Sequence, residues 1–202
     1  MNYNGSAMIA MVGKDCVGIA ADRRLGKQLT TISCDCQKIY EVQPSCMIGM
    51  SGLYTDTMTL QQALQYRIEL YTLQEERNMT PKVLSHLLSF MLYEKRFGPY
   101  YMEPIIAGID TTTNTPFLSS MDLIGATMTA NDFCVAGSCT ANLHGMAESF
   151  YTPNLTPDEL KEVLGQCLLS SVDRDAMTGW GGVVHIITKD GITTHELKGR
   201  QD

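Results

Sequence analysis

The chain has 202 residues, 15 Lys and Arg against 22 Asp and Glu, a net charge of −7 and 44% apolar residues. That composition suits one domain, 1–202, with a sizeable core and excludes a disordered chain. The acidic balance excludes a phosphate-backbone binder, which needs a basic face, so no nucleic-acid partner is expected.

The apolar run at 7–12 stops at Gly13-Lys14-Asp15 with no basic segment before it. It is too short for an export signal or a membrane span, so no membrane partner is expected. It pairs instead with 16–22 as a hairpin. The seven cysteines, Cys16, Cys34, Cys36, Cys46, Cys134, Cys139 and Cys167, are odd in number and dispersed, which suits reduced thiols. Cys34 and Cys36 would share one face of a strand. With no second C-x-C pair and no nearby His, zinc is not expected, and neither metal nor cofactor is implied.

A second strand pair is expected at 36–40 and 47–50, around Gln43-Pro44-Ser45. The period then changes. Leu60, Leu64, Ile68 and Tyr71 recur at spacings of four, four and three, which predicts an amphipathic helix over 53–75. Thr80-Pro81 starts another, with Thr as N-cap and Pro at the first helical position. Val83, Leu84, Leu87, Leu88, Met91 and Leu92 form its apolar face, and Gly98-Pro99 ends it. Strands return at 104–110, 116–121 and 132–136. A shorter helix follows at 141–150, then a capping box at Thr156-Pro157-Asp158-Glu159 opens another. The chain closes with strands 182–188 and 192–197, turned by Lys189-Asp190-Gly191. Several strands are apolar on both faces, as in VGIAA and GVVHII, so each is covered by a sheet on one side and helices on the other. The fold class expected is α+β, a four-layer αββα sandwich.

Asn4-Gly5-Ser6-Ala7, at the head of the first strand, raises the chemical question. A hydroxyl is a poor nucleophile until a base takes its proton, and a free N-terminal residue supplies its own α-amine for that. Ser6 would have that amine only after cleavage behind Gly5; with residues 1–5 attached its nitrogen is an amide.

Asp22-Arg23-Arg24 after Val17-Gly18-Ile19-Ala20-Ala21 resembles the strand end of proteasome β-type subunits, which are N-terminal-nucleophile hydrolases with the four-layer fold. In that family a threonine stands sixteen positions before the aspartate, behind a cleavable glycine. Counting back from Asp22 reaches Ser6, behind Gly5. The resemblance implies that Lys38 is the site lysine, Asp22 its partner and Gly52 the oxyanion glycine. Ser138 falls on the serine of the "GS" turn and Asp175 on the aspartate of "RDA". Thr178 stands where the family has serine and keeps the hydroxyl.

Tyr93–Tyr101 with Glu103-Pro104, then 121–125 and 172–181, resemble a non-catalytic subunit type of the eukaryotic core particle, in which a glycine usually replaces the nucleophile. The presence of Ser6 departs from that pattern. The resemblance implies a structural ring subunit, with 1–5 as a short N-terminal extension and no catalytic residue. Its partners would be other β-type and α-type subunits in stacked seven-membered rings, handling unfolded polypeptides indirectly, in cytoplasm and nucleus. The alternative is an endopeptidase subunit using Ser6 after cleavage at Gly5-Ser6. On the structural reading, Gly5→Thr or Ser6→Ala leaves the peptidase activity of the assembled particle unchanged.

Plainer roles stand beside these. Lys38 and Asp22 would pair wherever a lysine is buried, Gly52 would begin a helix after a tight turn, and Ser138 would cap the helix after it. His86 and His185 are expected to be structural. Phe97, Tyr100 and Tyr101, three aromatics at a helix end, are candidates for an interface.

Overall fold

The computed structural model describes residues 3–201; Met1, Asn2 and Asp202, the ends of the expected domain, lie outside them. One five-stranded antiparallel sheet holds β1 (Ala7–Val12), β2 (Cys16–Asp22), β10 (Phe133–Gly137), β11 (Gly182–Thr188) and β12 (Gly191–Leu197), in the order β10-β1-β2-β11-β12. The other holds β5 (Ile39–Gln43), β6 (Cys46–Gly52), β7 (Met102–Ile109), β8 (Pro116–Met121) and β9 (Thr127–Thr129), in chain order. Helices α1 (Tyr54–Glu75) and α2 (Pro81–Glu94) cover the second sheet, while α3 (Thr140–Phe150) and α4 (Pro157–Val172) cover the first. The expected αββα sandwich is therefore present.

Three apolar layers hold it together. Met8, Ala10, Val17 and Ile19 meet Ile39, Met47, Ile105 and Leu118 between the sheets. Ile9, Met11 and Ala20 pack outward under Leu143, Leu160, Leu164 and Leu168. Ile48, Met50 and Ile106 pack under Leu60, Leu64, Leu84 and Leu88. A strand wedged between a sheet and a helix layer is buried on both faces, as the unbroken burial of β2 shows. Each such leucine or isoleucine is worth roughly 1.5–3 kcal/mol over an exposed one.

The structure corrects several expectations. A two-stranded hairpin, β3 (Leu25–Lys27) and β4 (Thr30–Ser33), and the edge strand β9 were not expected. They are three or four residues long with a single large apolar residue each, Leu25, Ile32 and Met128, too short for alternation to register. Cys36 lies in the loop before β5 rather than on a strand; Cys34 is exposed and Cys36 buried. Val83 points to solvent at 37% exposure, so the apolar face of α2 rests on Leu84, Leu88, Met91 and Leu92. Helix α2 also ends at Glu94, ahead of Gly98-Pro99.

Candidate functional site

The matched residues converge where the two sheets open, although they come from six separate stretches of chain. β2 delivers Asp22 at its last position. The segment entering β5 delivers Lys38, and the end of β6 delivers Gly52. Ser138 follows β10, and Asp175 and Thr178 lie in the loop between α4 and β11. Ser6 immediately precedes β1 and is buried.

Asp22 and Lys38 form the charged centre. Lys38 Nζ donates to Asp22 Oδ1 at 2.6 Å, with side-chain exposures of 6% and 0%. The same Oδ1 accepts the Ala7 N–H at 2.9 Å, and Oδ2 accepts the Gly179 N–H at 3.2 Å. A buried ion pair is tolerated when its remaining lone pairs are satisfied in this way. The lysine also donates to the Gly5 carbonyl oxygen at 3.3 Å, so it points at the peptide bond preceding Ser6.

On the other side of Ser6, its backbone N–H donates to Ser138 Oγ at 3.2 Å. The Ser138 hydroxyl has one proton and two acceptors in reach: the Ser6 carbonyl at 3.2 Å and Asp175 Oδ2 at 3.4 Å. Thr178 Oγ1 donates to the same carboxylate oxygen at 2.8 Å, so the hydroxyl it retains is engaged. Ser138 does not cap α3, whose N-cap is Cys139 with no side-chain bond; its hydroxyl is taken up by Ser6 and Asp175.

Backbone shape closes the site. Gly5 has φ +74°, and a Cβ there would stand 2.1 Å from the Met177 carbonyl oxygen. Gly5→Thr therefore tests folding rather than catalysis, which corrects the expectation of a silent change. Gly52, at φ +121°, has Tyr101 O 2.4 Å from where its Cβ would be, so only glycine fits. The space among Asn4, Ser6, Lys38, Gly52 and Tyr54 is only about 10 Å³, room for one water at most.

Two residues of this site were not anticipated. Asn4 is buried and bridges Gly26 O (2.8 Å) and the Tyr54 N–H (3.0 Å). Arg24, 3% exposed, donates to Met177 O at 2.6 Å, Thr31 Oγ1 at 3.0 Å and Gln28 O at 3.1 Å. It thereby ties the β3–β4 hairpin to the carbonyl on which Gly5 rests. The Asn-Gly pair and the second arginine after Asp22 were the available signals.

Six of the seven cysteines are buried and offer no rival nucleophile; Cys34 is exposed. Burial pushes the thiols of Cys16, Cys134, Cys139 and Cys167 up to about 11 and that of Cys46 to about 12, with Asp15, Asp132 and Asp175 adding to the effect at Cys16, Cys134 and Cys139 respectively. Burial also raises Cys36, against a smaller opposing pull from Lys38. Among the described residues no three His, Cys, Asp or Glu side chains are grouped to hold a metal ion, and no helix is long and apolar enough to cross a membrane. His185 pairs with Thr194 Oγ1 at 2.9 Å, and His86 is exposed on α2.

Of the three aromatics, Phe97 is almost wholly exposed with Arg96 stacked 5.6 Å from its ring, and Tyr101 is exposed. Tyr100 instead packs against the core under α1 and α2. Sequence reading overlooked the outward Tyr66, Leu70 and Leu73 of α1 and Phe90 and Tyr93 of α2, all exposed. The inward residues of these helices set the period and hide the second apolar side.

A four-layer αββα sandwich with a lysine–aspartate pair aimed at a residue heading the first strand defines the N-terminal-nucleophile hydrolase class of fold. The comparison with known proteins is more specific. Residues 2–187 match the family described as proteasome subunit. Proteasome subunit beta type-3 of Dictyostelium discoideum is 52% identical over 202 residues, 100% of this chain and 98% of the relative. Beta type-3-A of Arabidopsis thaliana is 51% identical and beta type-3 of Drosophila melanogaster 48%, each over 99% of this chain and 98% of the relative. The chain belongs to the proteasome subunit family.

Proposed function

We propose that this chain is a non-catalytic structural β-ring subunit of the proteasome core particle, supporting ubiquitin-dependent protein degradation by building the proteolytic chamber and positioning catalytic neighbours. The observation that carries this reading is the filled cleft. Residues 4 and 5 occupy the space beside Ser6, and about 10 Å³ is left. With residues 1–5 retained, the Ser6 nitrogen is an amide with no basicity to offer its own hydroxyl, and Lys38, Asp22 and Gly52 then surround a nucleophile position that lacks a base. Ser6, Asp22, Lys38, Gly52, Ser138, Asp175 and Thr178 are then a degenerate site, kept because its bonds hold the strand ends together. No cofactor enters.

The partners are other proteasome subunits: flanking β-type subunits in a seven-membered ring, an α-type ring on one side and the second β ring on the other. The exposed aromatics Phe97 and Tyr101 and the outer apolar side chains of α1 and α2 are the candidate contact surface, since a lone chain gains nothing by exposing them. The chain acts as one domain, 1–202, with 1–5 as its N-terminal extension, in cytoplasm and nucleus.

Intact mass and N-terminal sequencing of this chain from assembled particles test the reading. A chain that keeps residues 3–5 is expected; one that begins at Ser6 overturns it. Ser6→Ala is expected to leave each peptidase activity of the particle unchanged, and a marked loss would count equally against it.

A further inference from the structure

We infer that Asn4 is a positioning residue that closes the cleft by capping α1 from outside the helix. The geometry carries this independently of the family resemblance. Helix α1 is the longest of the four, yet its N-cap, Leu53, has no side chain able to bond the first-turn amides. Such amides need an acceptor when they are not solvated. Asn4 Oδ1 supplies it, accepting the Tyr54 N–H at 3.0 Å. The other end of the carboxamide donates to Gly26 O at 2.8 Å, while Asn4 O accepts the Gly26 N–H at 3.0 Å and Tyr3 O accepts the Gln28 N–H at 2.7 Å. Residues 3 and 4 therefore bond alongside β3 like an added strand, with the Asn4 side chain joining that hairpin to the start of α1.

Asn4 is buried, at 8% exposure, and both polar atoms of its side chain are satisfied. It lies between Ser6, Lys38, Gly52 and Tyr54, where the remaining space is about 10 Å³. A carbonyl-like oxygen already rests on the helix start, so the extension is an intramolecular occupant of the cleft. Its hold requires a donor and an acceptor in one planar group. Asparagine provides this, and aspartate provides only half.

This inference rests on the proposed function only in needing residues 3–5 retained, and the two fail differently: processing at Ser6 removes those residues from the mass spectrum, whereas a mistaken role for Asn4 leaves them present and changes only amide exchange. The experiment is hydrogen exchange on the full-length chain, read at single-amide resolution. In the unsubstituted chain the Tyr54 amide should exchange at least about tenfold more slowly than that of Thr55, its neighbour in the first turn, as expected for one secured cap. Equal rates overturn the proposal even if no variant folds. Asn4→Ala should speed exchange at Tyr54 by about tenfold and loosen Gly26 and Gln28, with β11 and β12 unchanged. Asn4→Asp should keep Tyr54 protected and loosen only the β3–β4 hairpin, because its carboxylate faces the Gly26 carbonyl oxygen. If Asn4→Asp and Asn4→Ala behave alike, or if neither moves Tyr54, the carboxamide is not the closure.

Discussion

Helices α4 and α1 cover opposite sheets with the same kind of leucine ridge, but they begin in different ways. α4 carries its own start signal: Thr156 Oγ1 accepts the Glu159 N–H at 3.5 Å, and Glu159 Oε2 accepts the Thr156 N–H at 2.9 Å, completing a capping box ahead of Pro157. α1 begins behind Leu53 with no cap of its own and takes an oxygen from a residue 50 positions earlier. A locally capped helix can start before the rest of the fold is in place. A remotely capped one is completed only when the N-terminal segment has docked, which joins the integrity of the cleft to that of its covering helix.

The largest effect should come from the charged centre on the remotely built side. Asp22→Ala leaves Lys38 buried without its carboxylate and should cost roughly 3–5 kcal/mol by denaturant titration. The double variant Asp22→Leu with Lys38→Met should recover much of that, because the uncompensated charge is gone. A double variant no more stable than Asp22→Ala would mean that the pair contributes more than mutual neutralisation.

Next is Gly5. Adding a methyl group there puts a Cβ 2.1 Å from Met177 O at a φ of +74°, so Gly5→Ala should destabilise by about 1–3 kcal/mol or more. Gly98 has nothing within 4 Å of its missing Cβ, and Gly98→Ala should stay within about 0.5 kcal/mol. Equal thermal shifts for the two would show that the closure around Gly5 is loose.

Thr156→Ala should cost about 1 kcal/mol, the usual value of a local cap. It should act on α4 while leaving protection at Tyr54 intact, which separates the two ways of starting a helix.

The smallest effects are those of pH. Bonds from the Thr156 backbone and hydroxyl hold the Glu159 carboxyl below its ordinary 4.5. Its folded value is depressed, so its contribution is fully present above 4.5 and is lost as pH falls through the lower folded value. Thermal scans below 4.5 should therefore show a shallower loss in Thr156→Ala than in the parent. Burial holds His185 below its ordinary 6.5. The unfolded chain takes up that proton first, so stability should start to fall as pH drops below 6.5, and His185→Gln should remove that early decline. An unchanged decline would assign it to another group.

Most of the scaffold was legible from local signals. The boundaries of β1, β2, β8 and β11 fall where apolar runs meet turn residues, and both Thr-Pro helix starts are where capping chemistry puts them. The cast of the site was legible only through the resemblance to proteasome β-type subunits, which assigned Lys38, Gly52, Ser138, Asp175 and Thr178 and, by the count back from Asp22, Ser6. Its state was not. Ser138 reads as a helix cap from its neighbours, and only its 3.2 Å approach to Ser6 and 3.4 Å approach to Asp175 shows otherwise. Tyr100 reads like Phe97, yet one packs inward and the other stands almost fully in solvent.

By itself the sequence determined the layered sandwich and the helix starts at Thr80 and Thr156. Those features depend on side-chain periodicity and on bonds reaching at most a few residues along the chain. Tertiary structure alone decided that Asn4 fills the cleft, that Arg24 pins the hairpin behind Gly5, and that α1 and α2 keep an uncovered apolar side. Each depends on groups separated by 50 to 153 positions in the chain or by a whole layer, and such distances close only when the sheets have packed.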